Sequence, residues 1–191
     1  MFGRATGKFI GAWLLAMIVG IGAVGAAGSS DSSFVSQAAL ANMAEIQLGH
    51  LAVKRAQSDD VKKFAQMMVE DHVKAQRELA DAASGAGIQW PKQLDDKHRQ
   101  IHQRLSSISG DRFDREYMKT MIDGHRTVEA MLAERVDVGG ARPSGASKAD
   151  EALTANVNKW ATKTLPSVRA HLREAEQVSG QLDKGERSSR R

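Results

Sequence analysis

The chain has 191 residues and no cysteine, so it has room for one domain, with neither disulfide bridges nor thiolate metal ligands. The net charge of +4 arises at the two ends, because two cations before residue 31 and a net +3 in 184–191 leave −1 for residues 31–183. A nearly neutral domain argues against a nucleic-acid-binding face. Any metal site in this chain must use His, Asp or Glu.

The first predicted element is an export signal in residues 1–28. Arg4 and Lys8 form a positive n-region, residues 9–24 are an apolar run, and "VGAAG" supplies the small residues that a signal peptidase needs. The apolar run is also close to the length that spans a bilayer, so an uncleaved membrane anchor in residues 9–27 is the alternative. Both interpretations predict an exported protein, periplasmic or secreted, and the small residues favour cleavage.

Helical spacing of apolar residues continues through the rest of the chain, without any strand pattern. It predicts long helices over about 34–56, 59–84, 111–138 and 149–183, and a short helix within "DDKHRQIHQRLSSIS". Short turns favour antiparallel neighbours, so residues 31–183 are expected to form an all-α, up-and-down four-helix bundle. The short helix then lies in the crossover between long helices 2 and 3, and residues 184–191 form a basic disordered tail.

The fourth long helix contains Pro166, which should kink it or start it afresh. This helix is longer than the others on one side of its histidine. We therefore expect residues 149–157 to project past the bundle and to pack against the loop at 139–148.

Each long helix has one titratable residue on its apolar stripe, and these are Glu45, His72, His125 and His171. Counted from one end of an up-and-down bundle, the four positions agree in height within one helical turn. The sequence therefore predicts a single buried layer of one carboxylate and three imidazoles.

Such a layer fits one divalent transition-metal ion, Zn, Fe, Mn or Cu, because imidazole and carboxylate are ligands of all four. The alternative is a non-enzymatic structural or stress-related envelope protein whose buried Glu/His layer is metal-free and fixes the register of the helices. The chain has no phosphate-binding loop, nucleophile elbow or HExxH motif, and its sequence shows neither an open coordination position nor a substrate pocket. We therefore expect a binding or structural protein rather than an enzyme.

The acidic residues beside the histidines point away from the stripe. Asp71 precedes His72 directly, and Asp123 lies two residues before His125. Neighbours one or two residues apart on a helix do not share a face. One interpretation is that these carboxylates accept a hydrogen bond from an imidazole on a neighbouring helix. The alternative is a solvated or salt-bridged position, and at Asp123 the position one residue early argues against the first.

Four motifs in order over residues 34–178 resemble a known bacterial family: "FVSQAALANMAEIQLGHLAVKRA", "VKKFAQMMVEDHVKA", "FDREYMKTMIDGHRTV" and "KTLPSVRAHLREAE". It is the exported, ferritin-like family called domain of unknown function 4142, often labelled an outer-membrane protein. The resemblance implies a ferritin-like helical bundle and carries no settled activity. The positions that match the family are Glu45, Asp71, His72, His125 and His171.

This sequence lacks the ligand pattern of di-iron carboxylate proteins. Di-iron carboxylate bundles use four carboxylates and two histidines, with Glu-x-x-His on two helices. Neither "MVEDH" nor "MIDGH" has a glutamate three residues before its histidine, and Gly124 stands where the family tends to repeat Asp-His. A mononuclear site, or none, fits this sequence better than a di-iron centre.

Overall fold

Five α-helices make up the part of the chain that a computed structural model describes, residues 26–137 and 146–189. They are α1 (Ala26–Arg55), α2 (Asp59–Ala82), α3 (Asp96–Ser106), α4 (Gly110–Asp137) and α5 (Lys148–Ser189). These two ranges contain no strand. The prediction of an all-α protein with four long helices and one short helix between the second and third is confirmed.

The helix ends follow local sequence signals. Asp59 and Asp60 occupy the first turn of α2, where the helix dipole favours carboxylates. Gly85 and Gly87 follow α2 with φ angles of 79° and 64°, which stop the helix in a conformation that other residues rarely adopt. Asp95 caps α3 by accepting a hydrogen bond of 2.8 Å from the backbone N–H of His98.

Two clusters of buried apolar side chains lie at different levels of the four long helices. One joins the end of α1, the starts of α2 and α4, and the end of α5 through Ala52, Val61, Phe113 and Val178. The other joins the start of α1, the ends of α2 and α4, and the start of α5 through Phe34, Leu79, Leu132 and Val157. Therefore α2 and α4 run in the same direction, and α1 and α5 run in the opposite direction.

The strict alternation of helix directions that we predicted is wrong at the step from α2 to α4. The segment between them returns along the length of the helices: Ile88 and Trp90 pack against the second cluster, and Ile101 and Ile108 pack against the first. A connection that travels the full length brings the chain back to the end where α2 began. Helical spacing contains no information about this return.

A buried carboxylate fixes the point where the chain returns. Asp114, which is 2% exposed, accepts hydrogen bonds from the backbone N–H groups of Gln57 (3.1 Å) and Ser58 (2.7 Å). These two residues form the turn between α1 and α2, and Asp114 lies in the first turns of α4. Through these bonds the buried carboxylate holds the start of α4 beside the start of α2.

The prediction that residues 149–157 project past the other helices is wrong. Helix α1 begins at Ala26 rather than near residue 34, so its added turns cover the start of α5. Val157 is fully buried, and Thr154 donates a hydrogen bond of 2.5 Å to Asp31 of α1. The polar cluster "SSDSS", residues 29–33, lies within this extended α1. Most of the predicted loop partner at 139–148 is outside the described residues.

Helix α5 does not start afresh at Pro166, and it extends further than the sequence predicts. It continues through Pro166 as one helix and reaches Ser189, so most of the segment 184–191 that we expected to be a disordered tail is helical. Lys, Arg and Glu are good helix formers, which favours this continuation.

The predicted export signal or anchor, residues 1–28, lies outside the described residues except for its last three positions. Within 26–137 and 146–189, no helix is both long enough and apolar enough to cross a membrane.

Candidate metal centre

Three of the four predicted residues meet between the two apolar clusters. His72 of α2, His125 of α4 and His171 of α5 each offer a ring nitrogen, and the three nitrogens lie within 4.8 Å of one another. Their ring centroids are 5.5–5.7 Å apart. The three residues are only 8%, 2% and 6% exposed. The structure thus forms one compact, buried group of three imidazoles from three helices.

One nitrogen of each ring is held by an acceptor. His72 donates its Nδ1–H to Oδ1 of Asn42 on α1, and His125 donates its Nδ1–H to the backbone carbonyl of Met121, both at 2.8 Å. His171 donates its Nε2–H to Oδ2 of Asp71, also at 2.8 Å. These bonds fix the tautomer and the orientation of each ring, as the outer partners of metal-bound histidines do.

The other nitrogen of each ring is buried and has no hydrogen-bond partner in the described chain: Nε2 of His72, Nε2 of His125 and Nδ1 of His171. A buried polar atom without a partner costs about 1–3 kcal/mol. Because the proton sits on the other nitrogen, each of these atoms presents a free lone pair. Three such nitrogens, on rings whose centroids are 5.5–5.7 Å apart, form a set of potential metal ligands.

Glu45 lies beside this group rather than within it. Its Oε1 is 3.9 Å from Nδ1 of His125, the nitrogen that already donates to Met121, and its Oε2 is buried without a partner. Gly124 leaves the space that the carboxyl uses, because a Cβ at that position would be 3.0 Å from Oε1. The predicted fourth ligand is therefore next to the three-histidine group but approaches it from the protonated side of His125.

Burial sets the charge of the layer. It raises the pKa of Glu45 from 4.5 to about 8. It lowers the pKa of His72 from 6.5 to about 3, helped by repulsion from the other two rings, and that of His125 from 6.5 to about 4. At neutral pH all three of these groups are uncharged, which avoids the large cost of an isolated buried ion.

A cavity of about 110 Å³ connects the histidines with the surface between α2 and α5. Its inner wall includes all three rings and Glu45, and its outer wall includes the exposed residue Lys163. Lys163 forms an ion pair of 2.8 Å with Glu78 at this opening. The cavity therefore reaches the three histidines from solvent, whereas the unpartnered nitrogens themselves are buried.

Some of these partners were predictable and others were not. Asp71 accepts from a histidine on a neighbouring helix as its position predicted, whereas Asp123 pairs instead with Lys119 at 2.5 Å. Asn42 was missed, although it lies one turn before Glu45 on α1 and could have been found as a second polar residue near that stripe. The carbonyl of Met121 and the cavity leave no signal in the sequence.

The protein family described as a domain of unknown function (DUF4142) matches residues 21–178. The chain belongs to this family. Neither curated proteins nor solved structures gave a match. The DUF4142 match includes all three clustered histidines and Glu45, and it confirms the resemblance that the four motifs indicated. The family description assigns no activity.

Proposed function

We propose that this protein binds one divalent transition-metal ion through His72, His125 and His171. The observation that supports the proposal is the set of three buried, unpartnered ring nitrogens, each opposite a nitrogen that is already held by an acceptor. Ligand nitrogens around a tetrahedral Zn²⁺ at 2.0–2.1 Å are about 3.3 Å apart, so the rings need only close inward by a modest amount. Imidazole ligands suit Zn, Cu and Fe, and the nearby carboxylate makes Mn a further candidate metal.

A single ion fits the donor set better than two. The described residues contain one group of at least three potential ligands, and its members are all histidines. A di-iron centre needs four carboxylates around it. The carboxyl of Glu45 lines the cavity from α1. In this proposal it lies beside the ion and is not one of the three ligands.

Metal content tests the proposal directly. The full chain is stripped with a chelator, incubated in turn with Zn²⁺, Fe²⁺, Mn²⁺ and Cu²⁺, desalted and analysed for its elements. We expect close to one ion per chain for at least one metal, and a large loss in His72→Ala, His125→Ala and His171→Ala separately. His50→Ala is the matched control, since His50 is exposed on α1 and should leave the content unchanged. No bound metal, or equal loss in the control, overturns the proposal.

The second candidate function is a structural layer without a metal. One observation favours it: burial holds Glu45 in its neutral acid form and keeps His72 and His125 as neutral imidazoles at pH 7, so the metal-free layer contains no charge from these groups. The two functions differ in their response to a chelator. A metal site predicts that EDTA lowers the melting temperature of the protein as isolated, and the structural layer predicts an unchanged value.

We also propose that the four long helices form a ferritin-like four-helix bundle. The support is the single long crossover, which leaves α2 and α4 parallel, since ferritin-like folds differ from simple up-and-down bundles by one such connection. A crosslink between position 56 at the end of α1 and position 113 at the start of α4 should form readily after Ala56→Cys and Phe113→Cys. Failure to crosslink while the variant stays helical contradicts this arrangement.

Export is the remaining proposal, and its support is the sequence of residues 1–28, with two cations, an apolar run and small residues before the first helix. Expression of the full chain in a bacterial host, followed by fractionation and N-terminal sequencing, tests it. We expect a shortened protein in the periplasm or medium. Full-length protein in the membrane fraction would instead support an anchor through residues 9–27, and full-length protein in the cytoplasm would refute export.

A further inference from the structure

We propose that the three-histidine centre keeps one coordination position open toward the cavity, and that this position takes one small exogenous ligand. The ligand class is water or hydroxide, exchangeable for a small anion such as azide. This inference rests on the metal function proposed above and adds a defined exchangeable site to it.

The placement of the ligands supports an open position. The three histidines approach from α2, α4 and α5, and α1 adds no nitrogen ligand to the group. The carboxyl of Glu45 on α1 approaches Nδ1 of His125 at 3.9 Å, and this nitrogen donates to a backbone carbonyl. The carboxyl of Glu45 therefore approaches His125 at its protonated nitrogen and not at the nitrogen with the free lone pair. Zinc sites with three protein ligands complete their shell with solvent, whereas structural sites are closed by a fourth residue.

The space beside the rings is large enough for such a ligand. The cavity of about 110 Å³ is lined by all three histidines. One water requires on the order of 10–15 Å³ of space of this kind, so an ion and one or more small molecules fit. The outer wall includes Lys74, Lys163 and Ser167, which are all exposed, so the cavity opens to solvent between α2 and α5.

Charge selects an anion over a neutral molecule. Three imidazoles that each keep one ring proton bind an ion without neutralising it, so a divalent ion retains its two positive charges in a buried site. An anion in the open position lowers this charge, and the attraction is strong because little water separates the two. The entrance adds no net preference, because Lys74 and Lys163 share the lining with Asp71 and Glu78 and Lys163 is paired with Glu78. The preference for an anion therefore comes from the bound ion.

Cobalt(II) is the probe, because its visible absorption depends on the number and type of its ligands. The full chain is loaded with Co²⁺, the cobalt content is measured by elemental analysis, and azide is added in steps. We expect a saturable spectral change with one azide per cobalt and no release of metal. The same change should occur in Glu45→Gln, because the inference gives the fourth position to solvent and not to this carboxyl.

Several outcomes contradict the inference while leaving the metal function intact. Cobalt bound at one per chain with a spectrum that azide does not change overturns it. An azide response that appears only in Glu45→Gln also overturns it, because the carboxyl would then close the site in the natural chain. Failure to bind cobalt or any other tested metal is a different result and refutes the proposed function itself.

A second pair of variants tests the route. Ser167→Trp places a large side chain on the outer wall of the cavity, and Ala170→Trp places the same side chain on an exposed position of α5 that does not line it. In stopped-flow mixing, azide should bind several-fold more slowly to the Ser167→Trp protein than to the natural chain, and the Ala170→Trp protein should match the natural chain. Equal rates in all three proteins contradict entry between α2 and α5.

Discussion

Replacing Glu45 by Gln should make the metal-free protein much more sensitive to mild acid. Burial raises the pKa of Glu45 to about 8, so the folded chain keeps its proton at pH 7 whereas the unfolded chain, with a pKa near 4.5, releases it. Between pH 8 and pH 4.5 the folded state therefore binds more protons, and the free energy of unfolding rises as the pH falls. Glutamine has no such proton and removes this contribution.

The histidines act in the opposite direction. The pKa values of His72 and His125 are lowered from 6.5 to about 3 and about 4 in the folded chain. Below pH 6.5 these two imidazoles are protonated in the unfolded chain but stay neutral in the folded chain. The free energy of unfolding therefore falls as the pH falls, until the folded pKa values are reached.

The two effects nearly cancel in the natural chain. One proton of difference changes the free energy of unfolding by about 1.4 kcal/mol per pH unit. Between pH 7 and pH 5, each of the two histidines therefore lowers the free energy of unfolding by about 2 kcal/mol, and Glu45 raises it by between about 2 and 3 kcal/mol. The natural chain should therefore lose only about 1 kcal/mol over this interval. The Glu45→Gln protein should lose about 4 kcal/mol, because the histidine contribution is no longer offset.

Urea unfolding followed by far-UV circular dichroism, with EDTA present, measures both values at pH 7 and pH 5. Glu70→Gln is the matched control, since Glu70 is an exposed carboxylate on α2 and should leave the pH dependence of the natural chain unchanged. Equal losses of stability in the natural chain and in Glu45→Gln would refute the argument that burial keeps this carboxyl protonated.

Three further predictions concern stability, each measured by urea unfolding. Gly49→Ala should lose about 1–3 kcal/mol, because its Cβ would be 2.7 Å from Val69 of α2; unchanged stability would contradict the close approach of α1 and α2. Gly180→Ala, with no atom within 4 Å of the new Cβ, should gain up to about 1 kcal/mol from helix propensity, and Gly124→Ala should gain less because its Cβ meets a buried carboxyl; equal gains would contradict that contact. Asp114→Ala should lose about 2–4 kcal/mol by leaving the two turn N–H groups unpaired, and a neutral result would show that water replaces the carboxylate.

The sequence predicted the helices and the histidine group because both depend on helical spacing. His72, His125 and His171 stand on apolar stripes where a titratable side chain is costly, and that contrast is visible in one sequence. The height comparison assumed that α4 begins where α2 ends, which is wrong. It nevertheless grouped the right residues, because each lies near the middle of its helix and its height changes little when the direction is reversed.

The parts that escaped prediction depend on contacts between distant segments. The direction of α4 is fixed by the return of the crossover and by the bonds of Asp114 to the α1–α2 turn. The position of Glu45 depends on the space above Gly124 on another helix. Neither the direction of a connection nor a gap between helices follows from local periodicity.

The parallel course of α2 and α4 divides the protein into two helical hairpins, α1 with α2 and α4 with α5. Helices pack most extensively within each hairpin, and the three histidines lie across the boundary, with His72 on one side and His125 and His171 on the other. An ion bound there would link the two hairpins, which the two apolar clusters also join. Removal of the ion would take away this one link and would leave the apolar contacts among the four long helices in place.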